Sequence, residues 1–361
     1  MSRIDLSKEL NKNFLQALEN IDANCSVALS SLHKAGVLSW ALPSSYQGLE
    51  ISTRDMVDLS YLLGRTSPSL FSSYTANLLG ITALSRFANE RLKKEVFENY
   101  LRNKTIFAFC MTEKNVGFDV ASTTTLARQT ADGFYLNGQK DYITNISIAE
   151  HLIVFAKTID SQGAELGVSA FYVPRRSHLS KNTPDSISVM NEYEKLGQNH
   201  SNTAGVSFSE VWIPTENLLG NLGDGLKILS ICVSRTKTLI GAAAVGAADI
   251  AVDYACKHLE KRIIKGKPLI KKPDIASCLS EISIQIEAAW LLTKQASETW
   301  DREGIAVKDS SMAKYFAAKM AVRTVSDCLE LCGAEGYLET HPIASLYRAS
   351  SELSIISPLI S

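Results

Sequence analysis

Two changes of residue pattern along the chain constrain its fold more than any single motif. Up to about residue 104, apolar residues recur at helical spacing, as in LNKNFLQALENIDANCSVALSSLHKAGV. The pattern then becomes short and alternating, which is typical of strands, and helical spacing returns near Asp224. We therefore predict an α+β fold with an N-terminal helical domain (1–104), a middle antiparallel β domain (105–223) and a C-terminal helical bundle (224–361).

Several local signals refine these boundaries. Ser52 and Thr53 are candidate caps for the helix that follows them. The stretch ADGFYLNGQK contains two turn signals, Asp132-Gly133 and Asn137-Gly138, around a short strand. A long helix is predicted from about residue 225 to residue 262, and its small residues at 241–246 would let another helix pack closely.

Composition limits the possible partners and the cellular location. The net charge of −1 gives no indication of nucleic acid or of an anionic membrane surface. The polar start, MSRIDLSKELNKNF, lacks an apolar signal core, and Asp249 and Asp253 interrupt the longest apolar stretch. The seven cysteines have no metal-like spacing. We therefore expect a cytoplasmic protein with reduced thiols and no metal, nucleic-acid or membrane partner.

Four segments in order resemble the acyl-CoA dehydrogenase family. FCMTEKNVGFDVAS resembles its flavin-binding signature, and LNGQKDYITNISIAEHLIVFAKT resembles the hairpin that follows. KLGQNHSNTAGVSFSEVWIPTENLLG and CLELCGAEGYLETHPIASLYRAS resemble the family's return strand and its last motif. The resemblance implies FAD as cofactor, an acyl thioester substrate on CoA or an acyl carrier protein, and a homodimer or homotetramer.

The resemblance also assigns roles around the flavin. Thr112 and Thr144 match hydroxyls at the flavin edge, Met111 and Tyr142 match residues that line the ring, and Gly117 allows close backbone approach. Taken singly, Thr112 could be an ordinary strand residue and Tyr142 a core residue. The implied cofactor-binding set is Phe109, Met111, Thr112, Gly117, Phe118, Tyr142, Thr144, Arg262, Glu330 and Gly333.

A second part of the cofactor site is implied by EKRIIKGKPLIKK. This segment resembles the family motif R-x-x-F-G-x-P-I, whose Arg, here Arg262, reaches the pyrophosphate of a neighbouring subunit's FAD. Lys265 replaces the Phe of that motif, and Glu330 stands where a Gln is usual. Alternatively, Arg262 belongs to a run of charged residues on the protein surface.

The residues at the family's catalytic positions depart from its pattern. Ser357 stands where the family usually has a Glu base, and Thr236 precedes Lys237 where a minority of members place Glu before Arg. A serine alone is no base for a carbon acid. Phe118 replaces a family Ser and is expected to narrow the substrate pocket. The family's final helix has no counterpart in the sequence, so the bundle is expected to be truncated.

The catalytic residues are therefore left open, with several candidates. Glu335 and His200 are candidate bases near the substrate, and Glu352 is a third. The alternative interpretation of each is a surface residue of a loop or helix, which is the commoner role of such residues. His341, before Pro342, is interpreted as a turn residue.

Three functions remain open from the sequence. The first is an FAD-dependent oxidoreductase that acts on an acyl, hydroxyacyl or aminoacyl thioester in a biosynthetic pathway. The second is a flavin-dependent oxidase or monooxygenase on the same fold. The third is a non-catalytic subunit that pairs with an active homologue.

Overall fold

Helices form both ends of the described part of the chain. The computed structural model describes residue 29, residues 32–175 and residues 183–356. The helix predicted from residue 10 lies mostly outside the described residues, and so does Ser357. The α-helices of the described part are α1 Thr53–Thr66, α2 Pro68–Phe87, α3 Glu90–Asn103, α4 Gly225–Lys261, α5 Pro273–Glu303, α6 Val307–Gly336 and α7 Pro342–Ile355.

A mixed sheet lies between the two helical parts. Its strands are β1 Phe107–Cys110, β2 Leu126–Gln129, β3 Gly133–Thr144, β4 His151–Ile159, β5 Glu165–Pro174, β6 Ile187–Glu192, β7 Thr203–Pro214 and β8 Leu218–Leu219. The order is β6-β7-β3-β2-β4-β5-β8, with β1 also beside β4. A separate two-stranded sheet consists of β9 Ile263–Ile264 and β10 Lys267–Pro268.

The sheet is not wholly antiparallel. Most neighbouring strands are antiparallel, as predicted, but β4 pairs in parallel with both β1 and β2. β5 covers one edge of β4, and on the other edge β1 pairs with residues 151–154 and β2 with residues 157–159, so β4 runs in the direction of β1 and β2. The flavin motif follows β1 directly, and this arrangement places it at the end of β1 and beside the end of β3.

One of the two predicted turns is wrong. The turn at Asp132-Gly133 is present, since the Thr130 N–H donates to the Gly133 carbonyl at 2.8 Å. Asn137 and Gly138 instead lie inside β3, at a bulge in its pairing with β7. The Asn137 side chain accepts a hydrogen bond from the Glu210 N–H at 2.9 Å, so contact with β7 holds this dipeptide in the strand.

The predicted helix boundaries have clear physical causes. The Ser52 side chain accepts a hydrogen bond from the Asp55 N–H and caps α1, as expected. Gly304, with φ of 72°, ends α5 in a left-handed conformation. Gly333 has non-helical angles (φ 60°, ψ −146°) and breaks the last turn of α6.

The long helix α4 is the core of the helical part. A Cβ on Gly64 of α1 would lie 2.1 Å from the Ala243 carbonyl oxygen, and one on Gly246 would lie 2.1 Å from that of Tyr61. The small residues of α4 therefore do allow close helix packing. By length and hydropathy, α4 and α5 could each cross a membrane, but two thirds of the apolar window of α4 is buried inside the protein.

Candidate functional site

The flavin-motif residues come together where β1 ends. The Asp141 N–H donates to the Thr112 carbonyl at 2.9 Å, which ties the segment after β1 to the end of β3. Met111 and Thr112 therefore lie beside the strand end that carries Tyr142 and Thr144. Phe109 lies within β1, is 7% exposed and packs on Phe155 at 5.0 Å between ring centroids, so its side chain belongs to the sheet core.

A buried ion pair stabilises the contact between the segment after β1 and the end of β3, which we call the junction. The Lys140 Nζ donates to the Glu113 Oε1 at 2.9 Å, to the Met111 carbonyl at 3.1 Å and to the Thr123 Oγ1 at 2.9 Å. Three consecutive threonines, Thr123, Thr124 and Thr125, donate side-chain hydrogen bonds to the Glu113 carboxylate. Glu113 therefore has a structural role at this junction.

Hydrogen bonding keeps Glu113 ionised despite its burial. Burial alone would raise the pKa of this carboxyl group, but the hydrogen bonds from the three threonines and Lys140 outweigh it. The pKa of Glu113 consequently lies far below its usual range. The sequence analysis assigned no role to Lys140, although this residue falls at an inward position of β3 and is fully buried.

Tyr142 stands out from the protein rather than lying in the core. It adopts a left-handed backbone conformation (φ 58°) and is 51% exposed. Its ring packs on Tyr193 at 5.1 Å between centroids, and the Tyr193 hydroxyl donates to the Asp141 Oδ1 at 2.8 Å. The strand end thus presents an accessible aromatic wall.

Polar groups at this junction remain available for a ligand. Within the described residues, neither the Thr112 hydroxyl nor the Thr144 hydroxyl has a hydrogen-bond partner, although both side chains are half-buried. Gly117 has φ of 61°, and a Cβ there would have no heavy atom within 4 Å. Two free hydroxyls, an aromatic wall and an open glycine turn fit the edge of a flavin.

A cavity of about 680 Å³ opens between the flavin motif and the helical bundle. Met111 and half-buried Phe118 line it from the motif, so Phe118 does stand in the pocket wall. The other lining residues are Asp119, Val120, Ala121, Leu226, Leu229, Ser230, Val233, Ser234, Lys237, Val307 and Ser310.

Arg262 lies in a different pocket, of about 480 Å³. The lining residues that accompany it are Tyr254, Lys257, His258, Lys261, Glu335 and His341. Its Nη1 lies 3.9 Å from the position of a Cβ on Gly333, so these two predicted residues are neighbours. Glu330 is exposed and does not line this pocket.

The three candidate bases do not lie together, and none of them lines the cavity beside Met111. Glu335 lies in the Arg262 pocket, 3.5 Å from the His258 Nδ1, and not in the cavity beside Met111. His200 is exposed on a turn, close in sequence to Gln198, whose amide donates to the Ala349 carbonyl of α7 at 3.2 Å. Glu352 is half-buried on α7, and burial raises its pKa, opposed by Lys195.

The other predicted positions provide neither a base nor a metal site within the described residues. Thr236 is buried and donates to the Cys232 carbonyl at 2.8 Å, so it provides no base. Across the described ranges, no three His, Cys, Asp or Glu side chains lie close enough together to hold a metal ion. His341 caps α7 by accepting from the Ile343 N–H at 3.3 Å.

The comparisons identify the class of protein that this fold and site define. Residues 108–211 match the acyl-CoA dehydrogenase middle domain and residues 223–357 its C-terminal domain. The cyclohex-1-ene-1-carbonyl-CoA dehydrogenase of Geobacter metallireducens is 30% identical, over 87% of this chain and 81% of the relative. The chain therefore belongs to the acyl-CoA dehydrogenase family.

Solved structures agree with this assignment. Butyryl-CoA dehydrogenase from Megasphaera elsdenii has a TM-score of 0.88 at 25% identity, covering 98% of this chain and 96% of that one. The prolyl acyl carrier protein oxidase AnaB has the same fold, with a TM-score of 0.87 at 22% identity over 98% and 96% of the two chains. Solved structures of the fold include complexes with FAD and with FADH2. FAD is the cofactor of this family, and the junction residues fit it.

Proposed function

We propose that this protein is an FAD-dependent oxidoreductase that acts on an acyl thioester, carried by CoA or an acyl carrier protein, in a biosynthetic pathway. The observation that carries the proposal is the cavity of about 680 Å³. It lies directly against Met111 of the flavin motif and has mostly apolar walls, as an acyl chain requires.

The chain's own residues have distinct roles in this proposal. Thr112 and Thr144 would offer their free hydroxyls to the flavin edge, and Tyr142 would cover the ring. Arg262 would contact the FAD pyrophosphate held by a second copy of the chain. When bound, FAD supplies a two-electron acceptor beside the cavity.

The exposed apolar residues of the helical bundle support an assembly of identical subunits. Ile284 and Leu291 lie seven residues apart on α5 and are 69% and 60% exposed. This spacing places them on one helix face, which a second copy would cover. Light scattering during gel filtration tests this assignment, and a monomer at micromolar concentration would contradict it.

Among the described residues, Asp119 is the one carboxylate that lines the cavity. It is exposed and accepts a hydrogen bond from the Ser122 hydroxyl at 2.6 Å. A positioned general base contributes about 10²–10⁴-fold to proton transfer. We therefore expect the rate of flavin reduction by saturated acyl-CoAs to be at least about 10²-fold lower than in relatives that carry the Glu base.

Anaerobic mixing of the flavin-loaded protein with butyryl-CoA, followed by flavin absorbance, measures this rate. Rapid bleaching would contradict the expectation and reveal a base among the cavity residues. If hydroxyacyl and aminoacyl thioesters also leave the flavin oxidised, the proposed oxidoreductase activity fails and the non-catalytic subunit is favoured. Oxygen consumption by the reduced flavin with a bound substrate would favour the oxidase or monooxygenase.

A further inference from the structure

Lys237 is the one cation among the described residues that line the cavity. Its side chain projects from α4, and its Nζ donates to the Ser311 Oγ at 3.3 Å. No Asp or Glu of the described chain forms an ion pair with it. Burial lowers its pKa, and no acidic group opposes that effect.

A second lysine increases the positive charge at this place. Lys314, on α6, is 2% exposed and donates to the Ser354 carbonyl near the end of α7 at 2.8 Å. Burial, together with the charges of Lys237 and Lys319, lowers the pKa of Lys314 to about 8. Within the described residues Lys314 also lacks an ion-pair partner, so two close cations stand here without a counter-charge.

The polar groups that line the cavity indicate which kind of anion could neutralise the charge of Lys237. The hydroxyls of Ser234 and Ser310 donate to backbone carbonyls of their own helices, at 2.9 and 3.2 Å. An anion in the cavity would therefore meet one charged donor, Lys237. One cation suits a single carboxylate, whereas a phosphate dianion is usually held by several N–H donors or by a bidentate Arg.

The remaining walls fit an alkyl chain. Met111, Val120, Leu229 and Val233 present apolar surface next to Lys237. Asp119, the acidic lining residue, is exposed and forms no ion pair with Lys237. The cavity thus combines an apolar path with one uncompensated positive charge.

Resting on the proposed function, we infer that the cavity takes an acyl thioester whose acyl chain ends in a carboxylate, and that Lys237 pairs with this carboxylate. Lys314 acts behind Lys237 by adding positive potential. Lys237 is accordingly a specificity-determining residue. An acyl chain that ends in a methyl group would leave this half-buried charge unpaired.

Two matched ligands test the inference. Glutaryl-CoA and pentanoyl-CoA have five-carbon acyl groups that differ in a terminal carboxylate, and calorimetric titration of the flavin-loaded protein measures both dissociation constants. We expect glutaryl-CoA to bind about 10- to 100-fold tighter, the scale of one charge-assisted hydrogen bond. Lys237→Met should abolish this preference and Lys237→Arg should retain it. Lys227→Met, which removes an exposed lysine of the same helix, should leave both constants unchanged.

The outcomes separate this inference from the proposed function. Equal affinity of the wild-type protein for both ligands would overturn the role of Lys237, while the cavity would remain a thioester site. A preference that survives in Lys237→Met would overturn it as well. Binding of neither ligand would contradict the thioester site itself, and the inference would fail with it.

Discussion

Two buried lysines of this protein have opposite surroundings. Lys140 is 0% exposed and Lys314 is 2% exposed, so water solvates neither ammonium group. Lys140 has three acceptors, including the carboxylate of Glu113. Among the described residues, Lys314 has one acceptor, the carbonyl of Ser354, and its charged neighbours are the lysines Lys237 and Lys319.

This difference indicates that one buried lysine has a structural role and the other a role in ligand binding. A satisfied pair such as Lys140 and Glu113 fixes the relative position of β1 and β3, and with it the Thr112 and Tyr142 segments. A buried cation without a counter-charge carries an electrostatic penalty that packing alone does not remove. Its retention beside a cavity indicates a role in binding, which we assign to Lys237 with Lys314 behind it.

The largest effect is expected when the satisfied pair is broken. Glu113→Gln keeps the side-chain shape but leaves the charge of Lys140 buried without a carboxylate. We expect a loss of about 3–5 kcal/mol in the free energy of unfolding, measured by urea denaturation. Glu165→Gln is the matched control, because Glu165 faces Lys157 at 3.4 Å on the surface. The control should change stability by less than ~1 kcal/mol, and similar losses in both variants would contradict the comparison.

The next effect is a dependence of stability on pH that originates from Lys314. The unfolded chain keeps this proton up to a pH of about 10.4, whereas the folded chain releases it at about pH 8. Between these values the unfolded state binds more protons, so the contribution of Lys314 to stability rises with pH. The rise should be on the order of 3 kcal/mol.

This rise is measured as the difference between wild type and Lys314→Met in urea denaturation at a series of pH values from 7 to 10. Titrating groups that do not interact with Lys314 cancel in that difference. If the difference is flat across this range, Lys314 is not held in the strained, charged state that the comparison assigns to it.

At pH 7 the same substitution, Lys314→Met, is expected to change stability less, and to raise it rather than lower it. Lys314→Met removes an unpaired buried charge but also the hydrogen bond to the Ser354 carbonyl. We expect stability between no change and a gain of about 2 kcal/mol, because a well-packed apolar side chain often replaces a buried charge without loss. Thermal unfolding of both proteins at pH 7 measures this. A loss of several kcal/mol would show that Lys314 is as well satisfied as Lys140.

The sequence predicted the general organisation of the fold because the patterns that determine it are local. The helical spacing of α4 and the Ser52 cap depend on residues within one or two turns. The bulge at Asn137-Gly138 was missed, since this dipeptide is as typical of a turn as of a bulge. Glu210, 73 residues away, decides between them.

The site was predictable only where motif residues carry it. The Thr112 and Thr144 segments were located by resemblance, whereas the charge balance around Lys314 depends on Ser354, 40 residues away. A signal did exist for Lys314. It lies on the same face of α6 as buried Ser310, Ala317 and Ala321, where an apolar residue is expected.

The smallest effect tests whether hydrogen bonding, rather than charge alone, makes the Lys140–Glu113 pair tolerable. Thr124 is exposed, and its hydroxyl donates to the Glu113 Oε2 at 2.6 Å. Thr124→Val keeps the side-chain shape and should lower stability by about 1 kcal/mol, since one of several donors is lost. Thr66→Val is the control, because the hydroxyl of exposed Thr66 donates to the Leu62 carbonyl at 2.9 Å and not to a carboxylate. The deficit of Thr124→Val should shrink as the pH falls towards the pKa of Glu113, whereas that of Thr66→Val should not. If the two deficits change alike with pH, the Thr124 hydroxyl does not stabilise the ionised carboxylate, and the charge of Lys140 alone holds Glu113 in place.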